Sequence, residues 1–551
     1  MTTYAYDALN RPTRREDPDG RVTNWEYDLA GNVAAIRDNR SGDILFAYDS
    51  LNRPTRIVTD QGTVDYQYDA VGRRTQRTVN GTDAVTYAYD KAGRLTQLIY
   101  RGRTTTFAWD AGGRLTAKTL PNGLVQTITW DAANRLTGTT LAKSDATVIE
   151  AIGYGYDAAG RRTARSATVT DVPETPIEAA YDQSNRLATV TIAGQPYALT
   201  YDANGNLTRK AGTGTTNAAD ITTYTWDARN QLARIESPTV TASFKYDALG
   251  RRIEKTVNGD SVQYLYDGQQ AIAELRGSAV SATYLTTLAI DEVIARYTTQ
   301  GERTLLTDAL GSVILAAKED QTVQTAYGYS PYGETQVMGA EEGSPVQYTA
   351  RENDGTGLYY YRARYYDPAL KRFVSSDPIG LDGGINTYGY VAGNPIAYTD
   401  PSGKVIWVVG GAIAGGVIGG VTNTAQAIAS GRSLGLIAMA AGTGIVGGAA
   451  TGAFATSSWI VTAGLGAAVS GISSIANQQY SNGCVNWMTA GKATLAGFAG
   501  GSLGAWGGNA AFSNMATPAI SGSGFAAAQF AQTVGAALST AGSYAAGVVG
   551  D

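Results

Sequence analysis

Histidine is absent from the 551 residues and Cys484 is the single cysteine. Ser-His-Asp and Cys-His catalysis, HExxH metalloproteases, His-based nucleases and HxE…PCxxC deaminases therefore lack their residues. No intramolecular disulfide or CxxC zinc site can form, and the sequence implies no metal and no cofactor. What remains for chemistry is carboxylates. Asp377-Pro378-Ile379-Gly380-Leu381 and Asp400-Pro401-Ser402-Gly403 share an Asp-Pro-x-Gly pattern, with residues 382–399 between them. Asp-Pro-x-Gly is a good type I or II turn by itself. If the two carboxylates meet, they cannot both ionise cheaply, and one keeps a proton near neutral pH. One could then activate water while the other protonates a carbonyl or leaving group. A coupled pair titrates as a unit, so neither is assigned as acid or base. Turn and catalytic pair both remain open on these residues.

These aspartates follow a long internal repeat. A Tyr-Asp or Trp-Asp pair recurs thirteen times from Tyr6-Asp7 to Tyr266-Asp267, at steps of 20 or 21 residues with three longer steps of 25 or 26. The third residue after Asp is Gly or Asn in the first twelve copies, as at Asn10, Gly31, Asn52 and Gly72. These residues enter positive φ at least cost, so the position is expected in the left-handed region. The Asp side chain can accept a backbone N–H two residues on. Arg often follows (Arg11, Arg53, Arg73, Arg94, Arg114), expected on the outer face or paired with repeat carboxylates. Before each Asp the chain alternates with period two, so Tyr66/Tyr68, Phe107/Trp109 and Tyr264/Tyr266 each share a strand face. Each repeat is thus a hairpin of roughly 20 residues. Stacked hairpins bury an aromatic face that none could bury alone. Propeller blades need about 40 residues each.

The repeat resembles the RHS/YD family, whose repeats wind as a spiral sheet into a hollow cocoon. Residues 350–403 resemble the RHS-associated core that ends such shells, as in the C component of Tc toxins. The matching pieces are Thr356-Gly357-Leu358-Tyr359-Tyr360, Arg362-Ala363-Arg364-Tyr365-Tyr366-Asp367-Pro368, Arg372-Phe373, Asn386-Thr387-Tyr388, Asn394-Pro395 and the two Asp-Pro-x-Gly motifs. Lys371 departs from the usual Gly before Arg-Phe, a change expected to alter only a turn. The resemblance implies a core that plugs the cocoon and carries a self-cleaving, aspartyl-protease-like site. It implies Asp377 and Asp400 as the catalytic pair, Gly380, Leu381 and Gly403 as motif turns, and cleavage near Lys404-Val405. The family usually has Leu where Lys404 stands, so cleavage is expected to be slowed or lost. The expected organisation is an all-β YD-repeat spiral sheet over 1–340, forming part of a hollow shell, a plug over 341–403, and a variable segment over 404–551.

Composition changes abruptly in that last segment. From Lys404 onward the charged residues are Lys404, Arg432, Lys492 and Asp551. Gly411, Gly415 and Gly419 form a small-residue stripe suited to close helix packing in a membrane, and Val405–Val421 is just long enough to cross a bilayer. A Gly/Ala-rich, mainly α-helical segment is expected. Acid–base and metal-hydroxide chemistries lack their groups here, and Cys484 is more simply a small buried hydrophobe. A membrane-inserting effector, an apolar stretch preceding a truncated toxin, and inert cargo remain as readings.

For the whole chain, two functions stay open. One is a fragment of an RHS-type polymorphic toxin whose shell encapsulates and delivers the C-terminus, at most autoproteolytic as an enzyme. The other is a surface or adhesion protein whose repeats bind carbohydrate or a partner. The toxin reading implies an immunity protein and a secretion apparatus, with a target membrane as a further candidate. A net charge of −5 gives no electrostatic case for nucleic acid. The first residues lack the apolar stretch of a Sec signal, so secretion or surface display is expected by another route. Thr3–Tyr6 enters the repeat in mid-hairpin, and thirteen copies are few for a closed cocoon, so an open fragment is expected.

Overall fold

A computed structural model describes residues 1–169, 171–213, 221–340 and 343–404, with the backbone of Trp407 and Val408. The α-helical expectation for the C-terminal segment, its glycine stripe, Val405 and Cys484 lie outside the described residues.

The repeat unit folds as its alternation demands. Asp7, Asp28, Asp49 and Asp69 each begin a turn in which the residue three on donates its N–H to the Asp carbonyl, at 3.0 Å in each case. The residue at that position has positive φ in all twelve copies, from 57° at Asn230 to 88° at Gly31 and Gly72. The Asp Oδ1 then accepts the backbone N–H of the residue four on, as from Arg94 to Asp90 at 2.9 Å. Oδ2 takes that residue's guanidinium, Arg94 Nε lying 2.6 Å away. The turn arginines thus pair with their own repeat's carboxylate. Several also stack on the next repeat's signature ring, Arg11 over Tyr27 at 4.1 Å and Arg53 over Tyr68 at 4.7 Å.

The strands between these turns form two antiparallel sheets of sixteen, each in strict sequence order. The first runs from Thr3 to Ser166 and the second from Ile177 to Gly339. Contacts between the sheets advance together along both. Arg229 meets Asp17, Arg74 meets Asp267, Lys118 meets Glu292, and Ala309 meets Tyr154. The second sheet therefore follows the first in the same direction, as successive windings of a spiral do. The alternate aromatics Tyr66, Tyr87, Phe107, Tyr154, Tyr224 and Tyr264 point inward and are buried.

Against both windings packs a four-stranded sheet formed by Glu352–Asn353, Tyr359–Tyr361, Arg364–Asp367 and Arg372–Phe373. Its unbroken Tyr359-Tyr360-Tyr361 run departs from alternation because both faces are covered. Tyr359, Tyr361 and Tyr366 join a core shared with the first and second sheets, whereas Tyr360 and Tyr365 join one with Leu187, Tyr224 and Phe244. Burying Arg252 at this junction requires partners. It has them in Asp354 and Glu352. Lys371 occupies the left-handed region at φ 57°, so the departure from Gly loads the turn with a strained residue without removing it.

Candidate functional site: an aspartate pair on one guanidinium

Both Asp-Pro-x-Gly motifs are turns. Gly380 donates its N–H to the Asp377 carbonyl at 2.9 Å, and Gly403 donates to the Asp400 carbonyl at 3.3 Å. Gly380 and Gly403 have φ of 62° and 69°. Each turn also aims its carboxylate inward. Asp377 N–H is fixed by the Thr387 carbonyl at 2.9 Å, and its Oδ1 accepts Ile379 N–H at 3.0 Å. Asp400 Oδ1 accepts Lys404 N–H at 3.0 Å and the Ser402 hydroxyl at 3.2 Å.

The turns therefore bring the two carboxylates together. Arg364 Nη2 lies 2.8 Å from Asp377 Oδ2 and 3.2 Å from Asp400 Oδ2. All three side chains are 3% exposed. The guanidinium is itself fixed. Its Nη1 donates to the Thr387 carbonyl at 3.0 Å, its Nε to the Gly403 carbonyl, and its plane lies over the Phe373 ring at 3.6 Å. Sequence reasoning carried Arg364 only as part of a matching motif. Its signal was a cation opening the buried strand Arg364–Asp367, where it needs acidic partners to be tolerated.

Burial pushes the Asp377 carboxyl above the usual carboxylate range, Arg364 opposes that shift, and Asp400 adds to it. Burial pulls Arg364 down against the pull of both aspartates. It also pulls down the Lys404 ammonium, with Asp377 opposing. Gly383 completes the geometry. A side chain there would sit 2.5 Å from Asp377 Oδ2 and 3.3 Å from the Lys404 carbonyl oxygen. That carbonyl and the Asp377 carboxylate thus flank one small space. The Gly403 backbone is equally confined, since a Cβ would fall 2.3 Å from the Tyr361 carbonyl oxygen. Leu381, the remaining motif residue, is 75% exposed in a short 3-10 turn over Gly380–Gly383 and does not reach the pair. Among the described residues no cluster of three or more acidic, Cys or His side chains could hold a metal. None of their helices is long and apolar enough to cross a membrane.

A sequence model of the Teneurin YD-shell family matches residues 1–129 and 124–387, well over half of the chain. The chain belongs to the YD-shell family. Its relatives within the RHS and Tc toxins include toxin subunit YenC2 of Yersinia entomophaga, 45% identical over 80 residues that make 14% of this chain and 8% of that protein. The double-stranded DNA deaminase toxin A of Burkholderia cenocepacia is 29% identical over 188 residues, 28% of this chain and 13% of that one. The probable deoxyribonuclease RhsA of Dickeya dadantii is 32% identical over 167 residues, 28% of this chain and 12% of its own length. This YD-shell chain thus matches about a tenth of each relative's length. The solved TcdB2-TccC3 structure superposes with a TM-score of 0.52 at 18% identity, covering 73% of this chain and 28% of that one. That likeness shows the same shell fold. Two of these relatives are named for nucleic-acid chemistry, one as a double-stranded DNA deaminase toxin and one as a probable deoxyribonuclease.

Proposed function

We propose that this chain is the shell and plug of an RHS-type polymorphic toxin, which holds a C-terminal effector and frees it by cutting its own backbone after Lys404. The division into a repeat shell over 1–340, a plug over 341–403 and an effector segment from 404 belongs to this reading. The observation that carries it is the shared Arg364 nitrogen between Asp377 and Asp400, beside the Lys404 backbone.

The chemistry is peptide hydrolysis by two carboxyl groups. Asp400, an acceptor of three donors, takes a proton from water as its oxygen attacks the Lys404 carbonyl carbon. Asp377, whose carboxyl burial raises, acts as the acid: it gives its proton to the carbonyl oxygen, and as the tetrahedral adduct collapses the proton held by Asp400 passes to the departing Val405 nitrogen while Asp377 takes one back from an adduct hydroxyl. Arg364 holds the pair in register and lowers the cost of the charge they share. The C–N bond breaks to give a Lys404 carboxylate and a Val405 amine. Arg364 enters as a positioning group that the sequence did not assign.

The released segment carries no charge between residues 433 and 491 and has glycines at four-residue spacing. A membrane is its favoured target, with an immunity protein and a delivery apparatus as partners. Intact-mass analysis of the full chain over time tests the cut. Two fragments, one ending at Lys404 and one beginning at Val405, are expected, and Asp377→Asn and Asp400→Asn should each leave one mass. An uncut parent chain, or cutting unaffected by both variants, overturns the self-cleavage reading. Dye leakage from liposomes by the cleaved material tests the membrane target, and sealed vesicles at micromolar protein count against it.

A further inference from the structure

Three consecutive carbonyls ahead of the Lys404 bond are held by three consecutive residues of the plug hairpin. Pro401 C=O accepts Arg362 Nη1, Ser402 C=O accepts Ala363 N–H at 3.2 Å, and Gly403 C=O accepts Arg364 Nε. The last belongs to the site already described. The first does not. Arg362 reaches away from the aspartate pair to the second winding, where Nη1 lies 3.1 Å from Asp291 Oδ2 and Nε donates to the Gln269 carbonyl at 3.1 Å. Arg351 reinforces the link, contacting Asp291 and donating to the Pro401 carbonyl at 3.4 Å.

Two features mark this link as specified. Arg362 and Asp291 both occupy the left-handed region, at φ 58° and 66°. Non-glycine residues there carry strain that the surroundings must offset, and Gly would fit each turn at less cost. Their side chains face one another across the boundary between plug and shell. The neighbouring Glu292 pairs with Lys118 of the first winding. The loop at 291–292 is thus tied to the first winding on one side and to the chain ahead of Lys404 on the other.

We propose that Arg362, held by Asp291 with Arg351, is a positioning residue that fixes the Pro401 carbonyl from the shell, so that self-cleavage waits until the second winding has closed on the plug. This rests on the reading of Asp377 and Asp400 as a self-cleaving pair. Arg362 touches neither carboxylate. It sets the approach of the Lys404 carbonyl through the intervening backbone, and catalysis is steeply sensitive to small misplacements of that kind.

The test uses the full chain and two readouts. Cleavage is followed by intact mass from pH 4 to 8 in the parent, Asp291→Asn, Arg362→Ala and Arg362→Lys chains. Exchange of backbone amides in the peptide covering 398–404 is followed in the same chains carrying Asp377→Asn to block cutting. Asp291→Asn and Arg362→Ala should slow cleavage about tenfold or more and speed exchange in that peptide. The shape of the pH profile should stay unchanged, because the aspartate pair is untouched, and Arg362→Lys should recover part of the rate. Unchanged exchange, or faster exchange with an unchanged cleavage rate, overturns the inference. A displaced pH profile does too, since it would place Arg362 in the titrating site. A parent chain that does not cut defeats the self-cleavage reading itself, and that failure shows before any variant is made.

Discussion

Asp377, Asp400, Arg364 and Lys404 form one electrostatic unit, and Lys404 is the member that departs from the family's apolar residue. Its ammonium lowers the Asp377 carboxyl against the dominant effect of burial. Removing that charge leaves burial less opposed, so Lys404→Leu should hold the Asp377 proton to higher pH. The high-pH limb of the cleavage profile should then move upward, and the neutral-pH rate should rise. Intact-mass time courses from pH 5 to 8 measure both, and an unchanged limb would detach Lys404 from the pair. Gly383 makes the complementary prediction. Gly383→Ala places a methyl group against Asp377 Oδ2 and the Lys404 carbonyl. It should reduce cleavage about a hundredfold, the scale expected for roughly 1 Å of misplacement, while leaving the melting temperature nearly unchanged. The same assay with a melting curve checks it. The meeting of Asp377 and Asp400 on Arg364 was foreshadowed only by the family resemblance, since Asp-Pro-x-Gly at this spacing reads equally well as a turn. The roles of Arg364 and Gly383 were not legible, since each acts through contacts made by the fold. Gly383 lies 17 residues before Asp400 in sequence, yet what confines it is the Lys404 backbone beyond that motif.

At the scale of the element, the signature residue is Tyr or Trp because it must donate as well as pack. Tyr27, Tyr68 and Tyr89 donate their hydroxyls to the carbonyls of Pro12, Pro54 and Arg74, and the Trp109 and Trp130 Nε1 groups donate to Leu95 and Leu115. Each bond ties one hairpin to the one before it. Phe fills the same space without a donor, so Tyr89→Phe should cost about 1 kcal/mol, read as a lower denaturant midpoint. Asp247→Ala should cost more, about 3 kcal/mol, by leaving buried Arg251 without its carboxylate. At the rim, Asp157→Ala should cost less, because the ion pair to Arg161, 78% exposed, adds little and the main loss is the bond from the Arg161 backbone N–H. The repeat was legible because its turn chemistry is local. Asp supplies the acceptor, and Gly or Asn supplies the positive φ. Its last turns carry no aromatic-Asp mark, although they lie within the sheet expected over 1–340. The same turn recurs at Asp308–Gly311 and Ser330–Gly333 with matching backbone bonds, after the aromatic-Asp pair has lapsed. There the sheet is propagated by its backbone ladder and by burial against the four-stranded sheet, neither of which leaves a periodic mark. The aromatics that alternate inward, such as Tyr66 and Tyr264, are core residues, whereas Tyr4, Tyr6 and Tyr181 stay exposed.

Across the whole molecule, two populations of carboxylates pull stability in opposite directions with pH. At the turn rim, Asp7, Asp90, Asp110, Asp131, Asp157 and Asp182 are held below their usual range, chiefly by the backbone N–H of the Arg four residues on, with that Arg's guanidinium adding to it. A carboxyl lowered on folding contributes stability that is complete above its unfolded value and is lost as pH falls through its folded value. Many repeats share this turn, so the losses coincide. In the interior, burial raises Asp227, Asp308, Asp377 and Glu302, whereas burial of Asp267, Glu292 and Asp354 is outweighed by their Arg or Lys partners, which hold them down. The ionised forms of the raised carboxyls are a cost near neutrality, relieved as pH falls through their raised values. The melting temperature of the full chain should therefore drop steeply below about pH 4 as the rim protonates, and above that the raised interior carboxyls should keep it from climbing further toward pH 8. Added salt should flatten the change more at the exposed rim than in the interior, because buried charges are screened less. Calorimetry from pH 3 to 8 at two ionic strengths provides the measurement. A melting temperature that climbs steadily toward pH 8 would mean that the interior carboxylates impose no such cost. One that holds constant down to pH 3 would mean that the Asp–Arg turns, for all their regularity, do not hold the windings together.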